Sequence, residues 1–216
     1  MPKRLLAIYT SGSIEPQGMQ GRAMIYKHSI FSTPILTWLL SFPARLALKL
    51  SGWKVHGSPP EVKRCIMIAA PHTSNWDFAL MLMVVFTLKL DLRWMGKHSL
   101  FPWPVAWLMK WLGGIPVNRS QASNVVDDMI KEFQENEKLV LLSTPEGTRS
   151  QVSKWRTGFY HIAVGANVPI QPICLDGPGK NIDFEPLFIV SGDKEDDLRE
   201  IKAIFHGKQG VRPELS

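Results

Sequence analysis

His72 and Asp77 stand five positions apart in the run Pro71-His72-Thr73-Ser74-Asn75-Trp76-Asp77, between an apolar stretch and a helix-like one. An imidazole takes up a proton near neutral pH, and a carboxylate held against one ring nitrogen leaves the other free to do so. On an ideal α-helix five residues turn through roughly 500°, so positions i and i+5 sit about 140° apart and share no face. His72 is therefore expected in the loop entering the helix, folded back over Asp77 in the first turn. The same residues also fit a capping box, with Ser74 as the cap and Asp77 returning a bond to the cap N–H.

Elements that can hold such a pair follow from the hydrophobic pattern. Residues 65 to 70 predict a buried strand and residues 74 to 90 an apolar helix. A short strand is expected at 92 to 95, an aromatic helix at 104 to 112 ended by Gly113-Gly114, and another strand at 115 to 118. Residues 122 to 136 form an amphipathic pattern with Val125, Met129, Ile130 and Phe133 on one side. Residues 139 to 143 give the clearest central strand, running into Pro145-Glu146-Gly147-Thr148-Arg149-Ser150. A helix at 157 to 166, strands at 169 to 175 and 188 to 190, and an acidic helix at 194 to 205 complete the series. This alternation predicts an α/β domain, a central mixed sheet flanked by helices, with function in loops at the strand ends.

Composition narrows the setting. At 216 residues the chain holds one domain with a sizeable core. Cys65 and Cys174 sit far apart in apolar runs, without a C-x-x-C or zinc-like spacing, and read as buried hydrophobes rather than as a disulfide or metal site. Residues 1 to 60 hold Lys3, Arg4, Arg22, Lys27, Arg45, Lys49 and Lys54 against Glu15, which accounts for the whole net charge of +6. Removing these from the chain's 25 basic and 19 acidic residues leaves 18 of each. A basic segment interleaved with Ile, Leu, Trp and Phe points to an anionic membrane surface. A nucleic-acid binder would show a basic stripe on the folded domain, whose charges here cancel.

The apolar run from 30 to 42 is too short to span a bilayer, which takes about 20 apolar residues. Pro34 interrupts it and Pro43 follows, so an interfacial helix, or a pair broken at Pro43, is expected. The resulting domain plan is a disordered basic tail at 1–23, a membrane-associating segment at 24–56 and the main domain at 57–216. Trp103, Trp107 and Trp111 recur every four residues, so they are expected along one side of a helix, either in the core or as a membrane-facing wall or acyl-chain groove.

His72-x4-Asp77, Gly114-Ile115-Pro116-Val117-Asn118-Arg119, Pro145-Glu146-Gly147-Thr148-Arg149-Ser150 and Val168-Pro169-Ile170-Gln171-Pro172-Ile173 occur in that order. Over roughly residues 60 to 180 the chain resembles the lysophospholipid and glycerolipid acyltransferases, a group that includes the 1-acylglycerol-3-phosphate acyltransferases. It departs from them at Pro71, where many members carry Asn, and at Thr144, which replaces a common Phe. The resemblance implies a catalytic His72 and Asp77 and an acceptor held by Arg119, Glu146, Gly147, Thr148 and Arg149. Guanidinium forks match phosphate oxygens, and Gly147 permits close backbone approach. Glu146, repelled by a phosphate, is expected to orient the acceptor hydroxyl or hold a neighbouring Arg. Lys97 and His98 read as solvated surface.

On this resemblance the expected reaction moves a fatty acyl group from acyl-CoA or acyl carrier protein to a lysophospholipid hydroxyl, with 1-acylglycerol-3-phosphate as acceptor. No bound cofactor or metal is expected. The enzyme would sit monotopically on the cytoplasmic face of a membrane. Its rivals are the same chemistry on a phosphate-free amphipathic alcohol and a catalytically silent lipid-binding protein.

Overall fold

Strand alternation sorts the apolar side chains of this chain onto two faces of one sheet. In β2 (Arg64–Ala70), Ile66, Ile68 and Ala70 enter one cluster while Cys65 and Met67 enter the other. That is the period of two expected of a strand buried on both sides. The computed structural model describes residues 29–118, 122–148 and 154–216. The expected tail at 1–23 lies outside them.

The sheet has seven strands in the order β1-β7-β6-β2-β5-β3-β4. Here β1 is Lys54–His56, β3 Leu92–Lys97, β4 Gly114–Val117, β5 Leu139–Ser143, β6 Ile170–Asp176 and β7 Asn181–Phe184. The five strands from β6 to β4 run parallel. β7 runs antiparallel to β6, and β1 parallel to β7, which makes the sheet mixed as expected. The loops after β2 and β5 therefore leave the same edge side by side. β1 belongs to the segment assigned to the membrane, and it is paired in the sheet.

On one face lie α4 (Ala122–Glu135), α5 (Gly158–Ala166) and α6 (Lys194–Ile204). Met129 and Phe133, both on the expected apolar side of α4, are fully buried there. On the other face lie α1 (Pro34–Ser51) and α2 (Trp76–Leu88). A short α3 (Ala106–Trp111) precedes β4.

The structure decides between alternatives at Pro43 and at the tryptophans, and corrects the expected strand at 188–190 and the placing of Trp103 on the helix. Pro43 does not break the N-terminal helix: α1 runs unbroken from Pro34 to Ser51. The Pro43 ring is exposed, while Thr37, Ala44 and Leu48 are buried on the inner side and hold both halves to one axis. Pro34 at the helix start needs no N–H partner, and Gly52, at φ +79, closes the other end. Residues 188 to 190 form no strand, only an isolated bridge from Phe188 to Ile170. The three tryptophans are not core: Trp103 is 92% exposed and Trp107 66%. Trp103 also precedes α3, so the helix presents only Trp107 and Trp111.

Candidate active site

β2 ends at Ala70, and the loop after it carries His72 before α2 begins at Trp76. The His72 ring folds back so that Nδ1 lies 2.8 Å from Asp77 Oδ2. A carboxylate accepts hydrogen bonds, so Nδ1 carries the proton and Nε2 presents its lone pair outward. The His72 side chain is 21% exposed and that of Asp77 6%, so the base is reachable while its partner is shielded.

Asp77 is also a structural residue. Its Oδ2 accepts the backbone N–H of Thr73 at 2.9 Å and of Ser74 at 3.0 Å. Ser74 Oγ in turn accepts the N–H of Trp76 at 3.2 Å. The cap of α2 is Asn75, without a side-chain cap bond, rather than the expected Ser74; the expected return bond from Asp77 to the Ser74 N–H is present, and the oxygen that ties down the loop also holds the ring. The first turn of a helix favours a negative charge at that place.

Glu146 is brought to the pair by topology. Because β2 and β5 are neighbours, the turn after β5 lies beside the His72 loop, and Glu146 Oε2 accepts the His72 backbone N–H at 2.6 Å. Glu146 thus holds the histidine's backbone, a contact beyond the role expected for it. Burial raises its carboxyl above the usual range, and the His72 N–H bond and ring charge offset part of that rise.

Gly147 has φ +66, and a Cβ there would stand 2.6 Å from Cδ and Nε of Arg156. Only glycine fits both the left-handed backbone and that approach. Thr148 is exposed beside it. Arg119 and Arg149 lie outside the described residues. β4, which leads toward Arg119, is three strand positions from β2, or roughly 14 Å at about 4.8 Å per strand.

Between α2 and the sheet lies a cavity of about 840 Å³. His72, Asn75, Thr148, Lys97 and Arg156 line one part of it, and Met67, Leu80, Val84, Leu92, Ile182 and Phe184 another. Its α2 wall extends from Asn75 to Val85, about 15 Å at about 1.5 Å per residue. Lys97, expected to be ordinary surface, is exposed and yet lines this cavity; His98 does not. Arg156 was not among the expected residues. It stands eight positions after Thr148, and no sequence spacing signals that the two meet the same cavity. The tryptophans of α3 do not line it, whereas Leu100 and Met109 do.

Cys65 and Cys174 are free and buried, and burial pushes both thiols up to about 12. They are inert packing residues rather than nucleophiles. Among the described residues no helix is long and apolar enough to cross a membrane.

The class is that of a single-domain α/β protein with a histidine–carboxylate pair at the C-terminal ends of its parallel strands, opening on an apolar cavity. The sequence matches the acyltransferase family over residues 53–176, and the chain belongs to that family. It is 28% identical over 125 residues to the 1-acyl-sn-glycerol-3-phosphate acyltransferase of Escherichia coli (strain K12), covering 55% of this chain and 49% of that protein. The chain thus spans about half the length of this curated relative. It is 26% identical over 181 residues to the Haemophilus influenzae protein of the same name, covering 73% of each. The fold is similar to that of the 1-acyl-sn-glycerophosphate (LPA) acyltransferase PlsC from Thermotoga maritima, with a TM-score of 0.57, 17% identity and coverage of 79% of this chain and 77% of that one.

Proposed function

We propose that this chain is an O-acyltransferase that moves a fatty acyl group from acyl-CoA or an acyl carrier protein to the hydroxyl of a lysophospholipid, 1-acylglycerol-3-phosphate in particular. The observation that carries the reading is the 2.8 Å contact between His72 Nδ1 and Asp77 Oδ2 beside an apolar cavity. Nε2 takes the proton of the acceptor hydroxyl as its oxygen attacks the thioester carbonyl. The C–O bond forms, the C–S bond breaks, and the imidazolium returns the proton to the departing thiolate. Asp77 stabilises the imidazolium between these steps, and the acceptor oxygen itself attacks, so no acyl-enzyme forms.

The acyl chain fits the apolar part of the cavity, where each buried methylene contributes about 0.8 kcal/mol. The acceptor phosphate fits the cationic part, with Lys97 and Arg156 as partners on the described surface and Arg119 and Arg149 as partners implied by family resemblance. The names of the relatives support this acceptor.

The proposed seat is a membrane surface. Ile35, Trp38, Leu39, Phe42, Leu46 and Leu50 are all exposed along one stripe of α1, with Arg45 and Lys49 exposed beside them. An apolar face flanked by cations suits a helix lying in the interface of an anionic bilayer. The test of the whole reading is to offer the protein labelled acyl-CoA with a panel of lysolipids in vesicles and identify the product by mass. Acylation of lysophosphatidic acid is the expected result; a panel left entirely unacylated overturns it.

A further inference from the structure

Thr73, the residue after His72, is buried and bonded through both its backbone and its side chain. Its N–H donates to Asp77 Oδ2 at 2.9 Å, and its Oγ1 accepts the backbone N–H of Arg212 at 2.9 Å. Arg212 comes from a segment well past residue 176, where the family match ends.

That segment is fastened at several points. Lys208 Nζ lies 2.8 Å from Asp183 Oδ2 in β7, and the Gly177 N–H donates to the Gln209 carbonyl at 2.7 Å. A Cβ on Gly210 would stand 2.3 Å from Thr73 Oγ1, and one on Gly177 would stand 2.0 Å from the Gly210 carbonyl oxygen. The segment is therefore wedged between the turn after β6 and the His72 loop. Just before it, Phe205 meets Trp155 edge-on with 5.3 Å between ring centroids. The next residue, Arg156, donates its N–H to the Pro145 carbonyl at 2.7 Å. The C-terminal segment thus reaches the loops after both β2 and β5.

Resting on the acyl-transfer reading, we propose that residues 208–212 are a strap that positions the His72–Asp77 pair, acting through Thr73. The reason is that one oxygen, Asp77 Oδ2, serves both Thr73 and the His72 ring. A shift of Thr73 moves or releases that oxygen, and the ring loses its fixed direction toward the acceptor hydroxyl. Thr73 and Arg212 are positioning residues, since neither is required to touch substrate.

Thr73→Val in the full chain keeps the side chain's size and removes the oxygen that accepts the Arg212 N–H. The expected result is a kcat lower by roughly ten- to a hundredfold, the cost of a small misplacement of reacting groups. Both KM values should stay within about twofold, because binding contacts are untouched. Thr73→Ser, which restores the oxygen, should recover most of the rate. Arg212→Pro removes the donor from the other side and should repeat the kcat loss, and it stands as the test if Thr73→Val does not fold. A second readout needs no turnover: the His72 Nδ1–H resonance, identified by its loss in His72→Ala, should move or broaden in Thr73→Val. A wild-type chain that acylates nothing overturns the acyl-transfer reading while the resonance still reports on the strap. Wild-type kcat with an unchanged resonance in Thr73→Val overturns the strap, as does a Thr73→Ser variant as impaired as Thr73→Val.

Discussion

The two faces of the sheet are built from the same strands and packed to opposite ends. Against α4, α5 and α6 the side chains close up: Phe133, Met129 and Ala163 are fully buried, with Phe159 at 2% exposure. Against α2 the same strands leave a cavity of about 840 Å³ beside His72. Interiors ordinarily pack to crystal-like density, so a hollow of this size forgoes contacts and stability. The difference assigns the faces separate tasks. On the acyl-transfer proposal, one supplies stability and the other is held open for an apolar guest. His72 stands where the hollow face meets the strand ends.

The largest expected effects fall one on each face. His72→Ala should lower initial acyl-transfer rates by about 10² to 10⁴-fold with little change in melting temperature, because a base lost from a loop opens no core. Phe133→Ala should do the reverse. Truncating a fully buried phenylalanine costs about 3–5 kcal/mol, read as a lower midpoint in denaturant, while the folded fraction keeps its rate. If Phe133→Ala lost catalysis at full stability, the division of labour between faces would be wrong. Asp77→Asn belongs to both classes. It should cost roughly 10²-fold or more in rate and about 1 kcal/mol in stability, because its oxygen also caps two loop N–H groups.

Most of the tight face was legible in the sequence, and less of the hollow one. Residues 122 to 136 repeat their apolar positions at helical spacing, and residues 139 to 142 are a continuous apolar run, so local pattern alone marks α4 and β5. His72 in a loop ahead of a helix followed from the arithmetic of five residues. β1 and β7 were missed because three and four residues are too few to show a period. The Glu146 bond to His72 and the Arg212 bond to Thr73 are set by strand neighbours and a returning tail, which sequence spacing does not encode. Pro43 was read from its missing N–H, and packing of α1 on α2 overrode that signal. The cavity is a property of what side chains leave unfilled, and no residue type announces it.

The outer side of α1 extends the contrast. Phe42→Ser removes an exposed phenylalanine that packs against nothing in the core. Folding stability should change by no more than about 0.5 kcal/mol. Sedimentation with anionic vesicles should weaken by about 1.5–3 kcal/mol, the transfer value of a buried phenylalanine. Equal vesicle binding by the variant would move the proposed membrane contact to Trp103 and Trp107.

Acid should act first on the tight face. Burial alone would raise the Asp197 carboxyl, but hydrogen bonds from the Ser191 hydroxyl, Tyr160 Oη and the Ser191 and Gly192 N–H groups bring it below its ordinary range. A lowered folded pKa gives stability that is complete above the unfolded value of about 3.9 and fades as pH falls through the folded one. Glu146 has the opposite sign, since its raised carboxyl favours the protonated folded state as pH falls. Asp197→Asn should therefore flatten the loss of stability on the acid side, measured by denaturant midpoints from pH 6 downward. An unchanged acid limb would remove Asp197 from the account.

The smallest effect is the sharpest test of the comparison. Val84 on α2 is buried and lines the cavity, whereas Ala163 on α5 is fully buried in the opposite cluster. Enlarging each to phenylalanine adds bulk to the two faces in turn. At Ala163 the added ring meets filled space, and overpacking typically costs about 1–3 kcal/mol or more. At Val84 the ring has room to enter the hollow, so the change in stability should stay within about 1 kcal/mol. The cost should surface in function instead. A ring in the cavity displaces part of the guest, so Val84→Phe should favour shorter acyl donors over longer ones by a few-fold to about tenfold, at about 0.8 kcal/mol for each methylene excluded. Donor profiles and denaturation midpoints on the same two preparations decide it. Equal destabilisation by both substitutions, with an unchanged donor profile, would mean that the cavity is not a guest site and that the two faces differ in shape without differing in task.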